Sequence, residues 1–594
     1  MFQRMTLTAL IIWGAQSCLV RAEPVQAVLQ YQSRQEIFQP QAAAGGMVAS
    51  DHYLASAVGA SILAQGGNAV DAAVATGFAL AVVLPYAGNL GGGGFMLVHT
   101  QRNNETKAID FREMAPSSAT ERMFLDPNGN PIKRRSIEST AAIGVPGTVA
   151  GLLLALDRFG SLSRQEVMAP AIDLARKGFD VSANLAHVLK THDKHLFKSP
   201  PNRAIFFVKR AGADCQPVSC DFQDMRPLRA GELLVQKDLA TSLQLISKKG
   251  RAGFYVGPTA KSIVDTVNQG LGSMSLVDLE GYKAIVREPI WASYRGIKIA
   301  SMPPPSSGGV HLVQMLNMLS RWDLGANGWG SASNLHRIAE VAKLAYADRA
   351  TYLGDSDFHP VPVQTLISQE YAQKRLTLMN STHATPSSQI KAGKVHGYES
   401  TETTHYSVAD KYGNLVSTTT TLNLNFGSGW MAHGTGILLN NEMDDFAAKP
   451  GASNAFGLIG SKANKIEPGK RPLSSMTPTL LFRNGKAWVA TGSPGGSRII
   501  TIVLQVISNM IDFKMNLASA LSMPRIHHQY LPDTLWMEQG FSPDTISLLQ
   551  HMGHRVKASR AAGRVQSVAI EGSLQQGASD PRSIDGAAIG VKDD

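Results

Sequence analysis

One threonine in this chain has the surroundings of a nucleophile. Thr403 lies in TETTHYSVAD, residues 401–410, after STHATPSSQIKAGKVHGYESTE (381–402), a polar, turn-rich stretch that reads as a flexible connector. Beyond it, HYSVADKYGNLVSTTTTLN alternates with period 2 on either side of Lys411-Tyr412-Gly413-Asn414, which predicts a hairpin. If the peptide bond before Thr403 breaks, this residue gains a free α-amine beside its hydroxyl. An α-amine has a pKa of about 7.7 to 8.0, suited to a general base near neutral pH. Hydroxyl and amine on one residue then form a complete nucleophile–base couple. Thr418 to Thr420 read differently, as β-branched residues filling a strand.

Other chemistry-bearing groups read structurally. NLGGGGFMLVHT (89–100) has four consecutive glycines, but lacks the Lys and Ser/Thr of a P-loop and the spacing of a dinucleotide fingerprint. Close backbone packing at the entry to a buried strand is expected there instead. Cys215 and Cys220 in ADCQPVSCDF are expected to close a small disulfide loop in an oxidising compartment. No second cysteine pair or local histidine pair completes a zinc set, so no metal is expected. No G-x-S-x-G elbow points to a conventional serine hydrolase.

The chain can support a large layered fold. It has 594 residues, 44% hydrophobic and 17% charged, with no long block of one charge sign. The net charge is +10 and the pI about 9.3, but the basic residues are dispersed without interleaved aromatics, which argues against nucleic acid as partner. Residues 1–22 carry Arg4, an apolar Leu7–Ala15 and a Val20-Arg21-Ala22 exit, the pattern of a removable export signal. With no further apolar run of spanning length, an exported protein without a stable membrane anchor is expected. Residues 23 to about 45 read as a mobile lead-in. Helical patterns follow in PGTVAGLLLALDRFG, EVMAPAIDLARKG, TAKSIVDTVNQG and SASNLHRIAEVAKLAYADRATYLGD. In SMPPPSSGGVHLVQMLNML, Ser306 to Gly309 stand at a helix entrance, where N–H groups tend to be solvated or ligand-bound. Helices gather early and strands concentrate near residue 403, which favours α/β layers.

At this point the ordered strings TTHYSVADKYGN, TLNLNFGSG, GILLNNEMDDF, KRPLSSMTPT, TGSPGGSRIITIVLQ and PRIHHQYLPD resemble the small subunit of the γ-glutamyltransferases. GGNAVDAAVA, AGNLGGGGFML, DFREMAP, PGTVAG and PPPSSGG resemble the large subunit, so the likeness covers nearly the whole chain after the signal. The resemblance implies an N-terminal nucleophile hydrolase fold, an α/β (α+β) four-layer αββα sandwich, and self-cleavage between Glu402 and Thr403. That gives a heterodimer from one precursor, with large chain 23–402 and small chain 403–594. It also implies a γ-glutamyl-Thr403 acyl-enzyme, with glutathione and related γ-glutamyl compounds as donors and water, amino acids or peptides as acceptors.

The site residues follow by position. Thr421 matches the residue whose hydroxyl orients the nucleophile, and Gly495 and Gly496 in GSPGGS, otherwise an ordinary turn, match the oxyanion hole. Arg112 offers a planar fork for the donor α-carboxylate, supported by Ser474 and Ser475, while Asn423, Glu442 and Asp445 suit the α-ammonium. The competing structural role for Arg112 is an ion pair with Glu113 or Asp110. No organic cofactor is needed, because amide transfer through an ester requires none. Residues 447–465 are long enough for a lid, with Phe456 where Tyr is common, and the missing hydroxyl predicts a looser lid. The location implied is the periplasm or outside the cell. The rivals are a glutaryl-type (cephalosporin) acylase on the same fold, a γ-linked polyglutamate depolymerase, and an inactive periplasmic binding homologue. Two carboxylates facing an α-ammonium argue against the first, and an intact nucleophile argues against the last.

Overall fold

The computed structural model describes residues 38–390, 403–449, 462–560 and 563–593. The export signal, Glu402 and Phe456 lie outside the described residues.

The alternation after Thr403 folds as expected. Thr404–Asp410 and Leu415–Thr421 pair antiparallel, with Thr404 opposite Thr420 and Ala409 opposite Leu415. Asp410 ties the turn, accepting the N–H groups of Tyr412 and Asn414 at 2.9 Å each, while Gly413 takes φ 91°. This hairpin forms the middle of a seven-stranded sheet in the order Ala587–Val591, Gly46–Ser50, Thr404–Asp410, Leu415–Thr421, Gly93–Thr100, Glu105–Phe111, Ile285–Arg287. A second seven-stranded sheet runs Gln41–Ala43, Leu574–Ser579, Gln566–Glu571, Lys486–Thr491, Thr479–Arg483, Ile297–Ser301, Ile290–Tyr294.

Strand alternation decides the layers. Val48, Met96, Val98, Tyr406, Val408 and Val416 share one core with the helices Tyr53–Ala64, Ala69–Val83, Thr148–Phe159 and Arg164–Lys177. Met47, Ala49, Phe95, Leu97, Ala409 and Leu415 point the other way, into a core shared with the second sheet and the helices Gly308–Leu319, Ala332–Tyr352 and Ile499–Ile511. Hydroxyls on this inner face bond across the gap: Ser407 donates to the Gln566 carbonyl at 3.0 Å and Ser417 to that of Thr491 at 2.9 Å. The result is helix, sheet, sheet, helix. Ile499–Ile511 is buried all round, and its polar row is satisfied inside: Gln505 Nε2 donates to the Ile526 carbonyl at 2.8 Å and Asn509 Nδ2 to that of Ala520 at 3.0 Å. Each of its fully buried Ile, Leu and Val side chains contributes roughly 1.5–3 kcal/mol.

Three expectations change. Strands are not concentrated near residue 403: four of the seven in the hairpin's sheet precede it, with Gly93–Thr100 the buried strand expected after the glycines and helices separating the pair Gly93–Thr100 and Glu105–Phe111 from Gly46–Ser50 and Ile285–Arg287. Within the expected lead-in, Gln41–Ala43 is a strand, with Gln41 pairing with Gly577 at a sheet edge. The connector is fixed as far as Ile390 by buried partners. Lys343 Nζ donates to the Thr385 carbonyl at 2.6 Å, Ser387 Oγ to that of Tyr530 at 2.7 Å, and Tyr530 OH to that of Ile390 at 3.0 Å. Cys215 and Cys220 form the expected disulfide, with an S–S length of 2.01 Å.

Candidate active site

Residues 403, 405, 407 and 409 share the inner face of their strand, as do 415, 417, 419 and 421 of its partner. Thr403 and Thr421 therefore both point between the sheets. Thr403 is 4% exposed, and its hydroxyl donates to Thr421 Oγ1 at 3.4 Å. Thr421 Oγ1 also accepts the Asn423 N–H at 2.9 Å, which fixes the acceptor. The Thr403 carbonyl takes a hydrogen bond from Arg564 Nη2 at 3.2 Å, and Arg564 Nε binds the buried Asp51 at 2.7 Å. The four-glycine run supplies the closeness expected of it. A Cβ on Gly92 would lie 2.0 Å from the Thr421 carbonyl, and one on Gly94 would lie 2.3 Å from that of Thr419.

Thr403 and Thr421 open into a cleft shared with Arg112, Arg349, Asn423, Glu442, Asp445, Ser474, Ser475 and Gly496. Gly495 precedes Gly496 at the entrance to Ile499–Ile511, with φ 139° and 52° respectively. Neither angle suits a residue with a side chain, so glycine is needed where the chain turns toward the nucleophile.

The charged end of the cleft differs from the expected division of labour. Arg112 donates through Nη1 to Glu442, and through Nη2 to Asp445 Oδ2 at 2.5 Å. Carboxylate fork and ammonium seat thus face each other directly. The expected structural pairing is only partly present: Arg112 Nη1 is 3.7 Å from Glu113, while Asp110 accepts the Arg112 backbone N–H at 3.0 Å and spends its carboxylate on Arg287 at 2.8 Å. Burial alone would lower the Arg112 pKa, but Glu442 and Asp445 overcome it and hold the guanidinium above its ordinary value. Burial pushes Glu442 and Asp445 upward despite Arg112. Asn423 turns its Nδ2 to the Asn441 carbonyl at 2.9 Å, and its Oδ1 has no hydrogen-bond partner among the described residues.

Arg349 completes the site and was not legible in the sequence. It is 4% exposed, donates from Nε to Ser307 Oγ at 2.9 Å and from Nη2 to Ser475 Oγ at 3.1 Å, and burial lowers its pKa to about 10. The available hint was the density of charge in Ala332–Tyr352, where Glu340, Lys343, Asp348 and Arg349 are all buried. The helix entrance at Ser306–Gly309 offers no ligand N–H row. Ser307 N–H goes to the Ser474 carbonyl at 2.8 Å, Gly308 N–H to Ser306 Oγ at 2.9 Å and Gly309 N–H to the Met302 carbonyl at 3.2 Å. It serves instead to hold the Ser474 loop.

A second polar cluster joins His336, Glu340 and His554, whose ligand atoms all lie within 4.8 Å of one another. These are metal-ligand types, a grouping invisible locally because His554 is distant in sequence. Here they bond among themselves: His336 Nδ1 to His554 Nε2 at 2.8 Å, His336 Nε2 to the Asn380 carbonyl at 2.9 Å, and Lys343 Nζ to Glu340 Oε1 at 2.8 Å. The Lys343 ammonium already satisfies the carboxylate a cation would need. No described helix is long and apolar enough to cross a membrane.

A threonine at the head of a central hairpin, between two antiparallel sheets that are themselves enclosed by helices, defines the N-terminal nucleophile hydrolase class. Within it, the chain belongs to the enzyme family described as Gamma-glutamyltranspeptidase, whose sequence pattern matches residues 55–590. It is similar to the glutathione hydrolase proenzyme of Escherichia coli (strain K12), 48% identical over 591 residues and covering 99% of each chain. Among solved structures it is similar to the cephalosporin acylase from Bacillus halodurans, with TM-score 0.79 and 25% identity over 98% of this chain and 100% of that one. It is also similar to the Helicobacter pylori gamma-glutamyltranspeptidase, with TM-score 0.54 and 43% identity over 59% of this chain and 96% of that one.

Proposed function

We propose that this chain is an exported precursor that cleaves itself between Glu402 and Thr403, leaving chains 23–402 and 403–594 as a heterodimer, and then transfers γ-glutamyl groups from glutathione and related donors. The observation that carries this reading is the opening of the Thr403 hydroxyl into the cleft that holds Arg112, Arg349, Glu442 and Asp445. A γ-glutamyl group needs a nucleophile at its amide end and both charge signs at its amino-acid end.

Thr403 Oγ attacks the γ-carbonyl carbon while the Thr403 α-amine takes the hydroxyl proton, directly or through water. The oxygen that becomes anionic is received by the N–H groups of Gly495 and Gly496, and Thr421 holds Oγ in line. The departing amine takes back the proton as the C–N bond breaks, leaving an ester on Thr403. Water or an acceptor amine then attacks that ester and frees the threonine. At the far end, the donor α-carboxylate takes Arg112 with Ser474, Ser475 and the neighbouring Arg349. The α-ammonium takes Asn423, Glu442 and Asp445. The acylase reading has a structural neighbour in its favour, but a glutaryl group brings a carboxylate without an ammonium, an uncompensated charge beside the two buried carboxylates.

The test is intact mass under denaturing conditions for the wild-type protein and Thr403→Ala, followed by release rates from γ-glutamyl- and glutaryl-p-nitroanilide. Two chains, the smaller beginning at Thr403, with an uncut variant and a γ-glutamyl preference, are expected. A single wild-type chain, or preference for the glutaryl compound, would refute the proposal. Periplasmic fractionation and N-terminal sequencing of the large chain test export and the cut after Ala22.

A further inference from the structure

Glu113 is fully buried and plays no part in the steps above. Both of its carboxyl oxygens, and Glu442 Oε2 beside them, have no hydrogen-bond partner among the described residues. Glu113 Oε2 lies 3.7 Å from Arg112 Nη1, the same atom that donates to Glu442 Oε1, so the two carboxyl groups are close neighbours. Two neighbouring carboxylate anions have only acceptors to offer each other, whereas a proton on one of them would give orphaned oxygens of both a partner.

We infer that Glu113 is a neutral carboxylic acid that donates its proton to the Glu442 carboxylate and so positions Glu442 for the donor's α-ammonium. Charge balance supports the inference. In the cleft Arg112 and Arg349 offset Glu442 and Asp445, and a zwitterionic amino-acid end leaves that balance intact, whereas an ionised Glu113 would add an uncompensated buried charge. The proton belongs on Glu113 because Arg112 touches Glu442 directly but is 3.7 Å from Glu113. The charged and titratable groups around Glu113 are Arg112, Glu442 and Asp445, with Tyr255 and Tyr282 behind. Gly93 and Gly144 flank it without side chains, and a Cβ on Gly93 would lie 2.6 Å from Glu113 Oε2. The strand-entry glycines thereby make room for this carboxyl as well as for the hairpin. Burial pushes Glu113 up to about 7, in the same direction.

The inference rests on the donor-site reading above, and its test has one arm that does not. Glu113→Gln keeps an N–H donor toward Glu442, whereas Glu113→Met keeps only the shape. With γ-glutamyl-p-nitroanilide at about pH 6, Glu113→Gln is expected to keep KM within about threefold and kcat within about twofold of wild type. Glu113→Met is expected to raise KM about tenfold or more, the size of a lost hydrogen bond to a charge. The ratio of wild-type KM to Glu113→Gln KM should climb with pH as wild type loses its proton, by up to about tenfold per pH unit. Without any donor, the infrared difference between wild type and Glu113→Gln should contain a free carboxylic acid C=O band that moves in D2O. Absence of that band, a flat KM ratio, equal damage by Gln and Met, or failure of Glu113→Gln to fold would each overturn the inference. If no γ-glutamyl donor is turned over at all, the donor reading fails while the infrared arm still decides the proton.

Discussion

The two ends of the cleft are built in opposite ways. The nucleophile end uses neutral groups placed by backbone register: Thr404 pairs with Thr420, and Thr421 pairs with Gly93, which brings 403 beside 421. The donor end uses charged groups from three separate segments, at 112–113, 349 and 442–445, with the hydroxyls of 474–475, held chiefly by one another. Register is set by main-chain hydrogen bonds that point mutations scarcely touch, so damage at the first end should appear in rate. Mutual charge is cooperative, so damage at the second should appear in affinity and stability together. Thr403→Ala is the largest break at the first end. It should leave one uncut chain and lower activity by at least about 10⁴-fold, with the unfolding midpoint nearly unchanged.

Arg112→Gln should make the strongest contrast. It leaves Glu442 and Asp445 buried without their shared cation, which costs about 3–5 kcal/mol in urea unfolding. KM for γ-glutamyl-p-nitroanilide should rise by about a hundredfold or more. A variant with raised KM and undiminished stability would show that the two carboxylates do not depend on Arg112.

The same contrast explains what could be read without coordinates. The hairpin was legible because period-2 alternation and a Gly-containing turn are local signals, and Thr403 was legible because its chemistry follows from its place before them. Arg112, Glu442 and Asp445 needed the resemblance, since nothing local brings positions more than three hundred residues apart together. Arg349 escaped even so: it lies near the end of a long helix where charge normally means solvent, and only packing against Ser307 and Ser475 reveals its role. Glu113 was weighed as a partner for Arg112 and meets it at 3.7 Å, while Glu442 takes the closer bond from the same nitrogen. The buried strand at Gly93–Thr100 was legible from its apolar run, but its place in the sheet, like that of Glu105–Phe111, was not, because both owe it to a hairpin three hundred residues downstream.

Two smaller changes sharpen the nucleophile end. Gly495→Ala forces a side chain onto φ 139° and brings its Cβ to 3.1 Å from Ile502 Cδ1, a strain of about 1–3 kcal/mol. If that peptide receives the oxyanion, kcat should drop about 10²-fold while KM stays within a few-fold. Thr421→Val keeps the shape but removes the acceptor for Thr403. One neutral hydrogen bond is worth about 1 kcal/mol, so kcat and the rate of chain cleavage, followed by mass, should each fall about five- to tenfold. An unchanged cleavage rate would confine Thr421 to turnover.

The smallest effect concerns His405, two residues from Thr403 on the same inner face. Its ring is fully buried between Thr419 Oγ1 at 2.8 Å and Ser407 Oγ at 3.0 Å, and burial lowers its pKa from 6.5 to about 3. Below pH 6.5 the unfolded chain takes up a proton that the folded chain refuses, so stability falls as pH drops and is flat above that value. The loss is about 1.4 kcal/mol per pH unit for this one group. His52, His195, His311 and His554 are lowered in the same direction by burial, so the whole protein should be acid-sensitive. A difference measurement isolates His405. In the uncut Thr403→Ala background, His405→Gln should be less stable at neutral pH, yet its stability should fall less steeply between about pH 6 and pH 4, by one proton's worth. Parallel pH profiles for the two proteins would mean that the ring is already protonated in the folded state, and that the neutral character of the nucleophile end stops short of its third residue.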